Sequence, residues 1–131
     1  MLRLHSSKAK EGEPLRVVAD QVGCPTSTLT LAKACWRAIG IDADPNGPRV
    51  LHWSDAGAAS WYDFAVAIGE LGQATRQITK PAEVIPISSA QFASVAPRPS
   101  FSLLDCTSSA RTLNLTQMHW RECLKLVLLE M

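Results

Sequence analysis

Residues 51–71, LHWSDAGAASWYDFAVAIGEL, constrain the fold of this chain more than any other stretch. Ser60 and Asp63 stand three apart in a capping-box arrangement. The hydroxyl accepts an orphan backbone N–H at the helix start, and the acid reaches back. From there Trp61, Phe64, Ala65, Ile68 and Leu71 recur at i, i+3, i+4, i+7 and i+10. That spacing predicts a helix with one continuous apolar stripe, and it assigns Trp61 to the core. Val50-Leu51-His52-Trp53 reads as a strand ahead of the helix, and Ser54-Asp55-Ala56-Gly57 as the turn between them. The unit holds two of the four Trp residues and the one Tyr. Its neighbours are therefore expected to pack on it.

Before it, Met1-Leu2-Arg3-Leu4 begins an amphipathic helix without a capping residue. His5-Ser6-Ser7 weakens that helix and Gly12-Glu13-Pro14 ends it. Leu15-Arg16-Val17-Val18 is a short strand, and residues 20–26 form a loop. The next helix runs to about Ile39, with Leu29, Ala32, Cys35, Trp36 and Ile39 on one face and Gly40 at its end. Residues 42–48, DADPNGP, form a surface loop by every turn signal. After the central helix, Gly69 and Gly72 loosen its end, and residues 73–82 read as polar and mobile. Glu83-Val84-Ile85-Pro86-Ile87 is a strand kept at an edge by its proline, and residues 88–92 form a helical turn. Pro97 and Pro99 make the next segment stiff and extended. Asp105 or Thr107 caps a short helix through Leu113. Thr116 caps a last helix whose stripe is Trp120, Cys123, Leu124, Val127, Leu128 and Met131.

Composition narrows the class. A chain of 131 residues with 47% hydrophobic and 19% charged content suits one globular domain with a core that needs no disulfide or metal. A net charge of +1, with its basic residues scattered, gives no attraction to nucleic acid or to anionic membranes. The longest apolar run is 126–129, against the roughly 20 residues a membrane span requires. No apolar leader follows Met1. Cys24, Cys35, Cys106 and Cys123 form no C-x-x-C pair and have no histidine at ligand spacing. Reduced thiols in a cytoplasmic protein are expected, with no metal site.

No catalytic constellation is present. The closest glycine pair, Gly69 and Gly72, ends a helix instead of opening one, so there is no phosphate-binding loop. Tyr62 is followed four residues later by Val66, which rules out a Tyr-x-x-x-Lys pair. Catalytic and cofactor-binding residues are therefore both expected to be none. Two residues are candidates for holding an anionic ligand. Arg98 lies between two prolines that would fix its guanidinium for bidentate recognition of phosphate or carboxylate. The competing reading is a surface arginine beside a proline-rich turn. Thr26, with the backbone N–H groups after Pro25, stands at a helix N-terminus suited to an anion; simple capping competes. Trp53, Trp61 and Tyr62 could stack on a base or sugar, although the stripe places Trp61 inside. His52 reads as a locally bonded strand residue and His119 as exposed.

Four ordered segments resemble one family. Asp20-Gln21-Val22-Gly23-Cys24-Pro25-Thr26 with Leu31-Ala32 is similar to a segment of the dTDP-4-dehydrorhamnose reductases. So are His52-Trp53-Ser54-Asp55-Ala56-Gly57 with Ser60-Trp61-Tyr62-Asp63-Phe64-Ala65, Arg98-Pro99 with Ser102 and Leu104-Asp105, and Trp120-Arg121-Glu122 with Leu124. Thr30 departs from the family's Asp, and His5 to Lys8 add about one helical turn. The resemblance covers the whole chain and roughly the last two-fifths of a family member.

It implies an α+β fold: a small single domain, residues 1–131, with three to four helices on a few short strands. It would be like the C-terminal substrate domain of extended short-chain dehydrogenases, with no Rossmann domain. The resemblance further implies a fragment that binds dTDP-sugar weakly through Arg98 and Thr26. NAD(P)H and the catalytic residues of the family belong to the part not matched, so no oxidoreductase activity is expected of this chain alone. The alternative is a non-catalytic interaction module, a homo-oligomer or a partner-binding protein, using the surface that a Rossmann domain would cover.

Overall fold

The computed structural model describes residues 1–41, 50–92 and 96–131; the loop expected at 42–48 lies outside them. Along the chain come α1 (Leu2–Glu11), β1 (Leu15–Val18), β2 (Val22–Gly23) and α2 (Thr28–Ile39). Then follow β3 (Ala59–Ser60), α3 (Trp61–Ala74), β4 (Val84–Ile87), a 3-10 turn at Ser89–Gln91, α4 (Thr107–Leu113) and α5 (Trp120–Leu129). The α+β layout is the expected one, although the described residues form five α-helices where three to four were expected, the N-terminal segment and residues 107–113 both completing helices of their own. None of the described helices is long and apolar enough to cross a membrane.

The capping box forms as the sequence dictates. Ser60 Oγ accepts the Asp63 N–H at 3.1 Å, and Asp63 Oδ2 accepts the Ser60 N–H at 2.8 Å. The helix it starts, α3, packs against α1, α5 and the strands. Its stripe meets that of α5 in a core of Ala67, Ile68, Trp120, Leu124 and Leu128, with Phe64 and Leu71 against it. Phe64 stands edge-on to Trp120 at 6.0 Å, an arrangement that adds to the area buried. Beneath α3, β1 and β4 pair in parallel with Leu15 opposite Val84 and Val18 opposite Ile87. The second ladder, antiparallel, joins Val22 to Ser60 and Gly23 to Ala59.

Several local expectations are corrected. His5 does not weaken α1: it is fully buried, and its Nε2–H donates to the Ala65 carbonyl of α3 at 2.9 Å. Gly69 and Gly72 let α1 in instead of loosening α3. A Cβ at Gly69 would lie 2.9 Å from the His5 ring, and one at Gly72 2.5 Å from Leu2. Residues 73–82 are mostly exposed, as a polar stretch should be, but are pinned at Ile78 and Ala82, which are buried, and by the Gln77 amide donating to the Leu128 carbonyl. Residues 50–53 join no ladder among the described residues; the His52 N–H donates instead to Ser109 Oγ of α4 at 2.9 Å. Thr116 does not cap α5. His119 does, its Nδ1 accepting the Arg121 N–H.

Two tryptophans on the apolar stripes stay exposed. Trp61, in the first turn of α3, is 53% exposed, against its expected place in the core. In α2 the whole apolar face looks outward, with Trp36 and Ile39 each 74% exposed. Its inner side is set by Ala34 and by Thr30, whose hydroxyl donates to Asp55 Oδ1 at 2.5 Å.

Candidate functional site

Three of the segments that carry the resemblance converge on one cleft of about 500 Å³. One wall is β2 and the loop after it, through Thr26. A second is β3 with the first turn of α3, including Trp61 and Phe64. Arg98, Pro99 and Ser102 form the third. Val22 stitches them together. It pairs with Ser60 on one side, and on the other its N–H donates to the Ser100 carbonyl and its carbonyl accepts the Ser102 N–H. The size falls within the range of small-molecule sites.

Both sequence candidates, Arg98 and Thr26, line this cleft. Among the described residues, Arg98 is its one charged side chain. The ion pairs among the described residues join Lys8 to Glu11 and Glu13, and Arg121 to Glu70, which leaves the Arg98 guanidinium unpaired. Thr26 is more committed. Its hydroxyl donates to the Cys24 carbonyl at 3.1 Å and accepts the Asp55 N–H at 3.3 Å.

The end of α2 is already supplied with an anion. Asp55, 2% exposed, accepts the Ser27 N–H through Oδ2 at 2.8 Å and the Thr30 hydroxyl through Oδ1. Ser27 is the N-cap, its Oγ accepting the Leu29 N–H. A carboxylate in this position complements the helix dipole and occupies donors that a ligand phosphate would use. The departure at Thr30 acquires a physical meaning here: an acid at that position would face the buried Asp55 carboxylate, whereas a hydroxyl donates to it.

The thiols form no cluster that could hold a metal among the described residues. Cys24 donates to the Asp55 carbonyl at 2.8 Å, and burial pushes its thiol above the ordinary value. Burial pushes Cys123 up to about 11, helped by hydrogen bonding to Asp55. The thiolate is the reactive form. In labelling with a disulfide reagent at pH 8, exposed Cys35 is expected to react within seconds to minutes. Buried Cys106 and Cys123 are expected to react at the rate of unfolding. Fast labelling of Cys123 in the folded protein would contradict this.

Sequence reasoning missed Phe64 as a cleft wall and placed Trp61 in the core, although it named Trp61 with Trp53 and Tyr62 as able to stack; of those three only Trp61 lines the cleft. The i, i+3 spacing of Trp61 and Phe64 was visible, but periodicity does not say which end of a stripe stays uncovered. It also missed Asp55 as an organising group, because an acid in a Ser-Asp-Ala-Gly run reads as a solvated turn.

Comparison with known proteins agrees with this geometry. The sequence profile described as the RmlD substrate binding domain matches residues 1–131. The spore coat polysaccharide biosynthesis protein SpsK of Bacillus subtilis is 33% identical over 95% of this chain and 38% of its own length. A dTDP-4-dehydrorhamnose reductase of Aggregatibacter actinomycetemcomitans is 32% identical over 95% of this chain and 42% of its own. The crystal structure of dTDP-4-dehydrorhamnose reductase from Bacillus anthracis, in complex with NADP, superposes with a TM-score of 0.77 at 28% identity. It is matched over all of this chain and 43% of that one. The chain thus spans about two fifths of the length of these relatives. It belongs to the RmlD substrate-binding-domain family.

Proposed function

We propose that residues 1–131 act as one substrate-binding domain of the dTDP-4-dehydrorhamnose reductase type, holding a dTDP-sugar in the cleft between β2, α3 and Arg98. The observation that carries this reading is the Arg98 guanidinium, on a backbone stiffened by Pro97 and Pro99 and without an ion-pair partner among the described residues, as the one charge that the described residues bring to a cleft walled in part by Trp61 and Phe64. A diphosphate supplies the complementary charge, and a guanidinium recognises it bidentately. Thr26 contributes on the opposite wall as an acceptor, since its proton is spent on Cys24. The four free thiols fit a cytoplasmic setting.

The described residues do not suit a dinucleotide cofactor. Both helix N-termini beside the cleft are filled by the chain's own carboxylates, Asp55 at α2 and Asp63 at α3. A pyrophosphate cradle needs those N–H groups free. Reduction of a sugar ketone by NAD(P)H is therefore assigned to residues outside these 131, and the chain alone contributes binding and no turnover. Isothermal titration tests the reading. Wild type is expected to bind dTDP-rhamnose, and Arg98→Ala to bind it about tenfold more weakly or worse, as for loss of a charged hydrogen bond. No heat from wild type up to millimolar ligand would reject it.

A second reading, an interaction module, is favoured by one observation: the apolar face of α2, with Trp36 and Ile39 outermost, meets nothing among the described residues. Such a face suits a partner or a second copy. Light scattering from micromolar to hundred-micromolar protein separates the two, with a strict monomer excluding the second copy.

A further inference from the structure

Helix α2 is held to the domain by little of its own surface. Along it only Ala34 is buried and Thr30 half-buried, and every other residue is exposed. A helix of 12 residues is marginal in water unless a packed face supports it. The outward side of α2 has the makings of such a face. Leu29, Ala32, Trp36 and Ile39 stand at i, i+3, i+7 and i+10, the spacing of a coiled-coil seam. The seam runs about 15 Å along the helix. Ala32, small between larger neighbours, leaves a hole that a side chain of a facing helix can fill. No residue of α2 lines the cleft, so this strip is separate from it.

Charge decides what kind of helix fits. Lys33 and Arg37, four apart, flank the seam on the side of Trp36. Both are exposed, and neither enters an ion pair or a side-chain hydrogen bond among the described residues. No acidic residue lies on α2. Two copies packed seam to seam would carry cations on both helices and an acid on neither, so no ion pair could form between them. A helix whose seam is flanked by Asp or Glu meets both requirements, apolar against apolar and acid against Lys33 and Arg37.

We infer that α2 is a docking strip for an acidic amphipathic helix, which seats its apolar side chains against Leu29, Trp36 and Ile39 and its carboxylates against Lys33 and Arg37. This rests on the interaction-module reading above and deepens it by naming the partner's chemistry. Trp36, 74% exposed, is the anchor of the strip, and the two cations set which partner is accepted.

The test is fluorescence anisotropy of two labelled peptides of about three heptads each, titrated with the 131-residue chain. Both carry leucine at the seam positions; one has glutamate beside the seam and the other lysine. Wild type is expected to bind the glutamate peptide about fivefold more tightly than the lysine peptide at low salt, as two exposed ion pairs allow, with the gap closing as salt is raised. The double variant Lys33→Glu, Arg37→Glu is expected to reverse that order, and Trp36→Ala to weaken the glutamate peptide by about tenfold or more. All three positions are exposed, so the variants should melt within a few degrees of wild type. Peptides bound within about twofold of each other, or an order that survives the charge reversal, overturn the inference. So does a dimer in light scattering that Trp36→Ala abolishes, which keeps the interaction-module reading and gives the strip to a second copy. A strict monomer that binds neither peptide overturns both.

Discussion

Replacing Asp55 with alanine is expected to lower the unfolding free energy by about 3 kcal/mol and the midpoint of thermal unfolding by about 10 °C. The carboxylate is buried and holds the start of α2 through Ser27 and Thr30. Its removal leaves the Ser27 N–H without an acceptor in a place water does not easily reach, at about 1–3 kcal/mol, and forfeits the charge-assisted bond from Thr30, whose hydroxyl falls back on the Ser27 carbonyl. Asp55→Asn keeps one acceptor for the Ser27 N–H and turns an amide N–H toward Thr30 Oγ1, whose own proton can go to the Ser27 carbonyl, so it should lose less than half as much. Thermal denaturation followed by circular dichroism decides it. Equal loss for both variants would mean that charge, rather than the hydrogen-bond pattern, holds α2.

Gly57→Ala is expected to cost about as much, roughly 3 kcal/mol, by a different mechanism. Gly57 has φ +95°, a region that L side chains rarely adopt. A Cβ there would also lie 2.6 Å from His119 Nε2 and 2.9 Å from Trp120 Cδ1. Neither neighbour is free to move away. Ala56 donates to the Met118 carbonyl and accepts the Trp120 N–H, which ties the turn to the start of α5. His119 caps that helix and Trp120 is in the core. Gly12 is the control: it too has positive φ, but a Cβ there meets nothing within 4 Å. Gly12→Ala should therefore cost only about 1 kcal/mol. Equal effects at the two glycines would remove the steric part of the account.

These two substitutions fall in the Trp53-to-Trp61 stretch, whose part in the fold was only half legible in the sequence. The Ser60–Asp63 capping box was readable because both partners are local and the chemistry is specific. The strand expected at 50–53 was not realised, because a ladder needs a partner and an apolar run does not say whether one is present. Periodicity gave the apolar sides of α2 and α3 correctly but could not say what covers them. On α2, Thr30 and Ala34 take the inner side, so Trp36 faces out; on α3 Trp61, the first residue of the stripe, lines the cleft and stays half exposed. The cap of α5 went to His119 over Thr116 because the Ala56 bridge fixes where that helix begins. The candidate residues Arg98 and Thr26 were visible as chemistry. Their convergence was not, since it depends on Val22 bonding to two segments distant in sequence.

The most direct measurement of the central proposal is a map of amide chemical-shift changes in the labelled chain on adding dTDP. Saturable shifts are expected at residues 21–26, 59–64 and 98–102, with α1 and the exposed face of α2 unmoved. Shifts that do not saturate, or that centre on α1 and residues 77–78 instead, would contradict a nucleotide site built around Arg98.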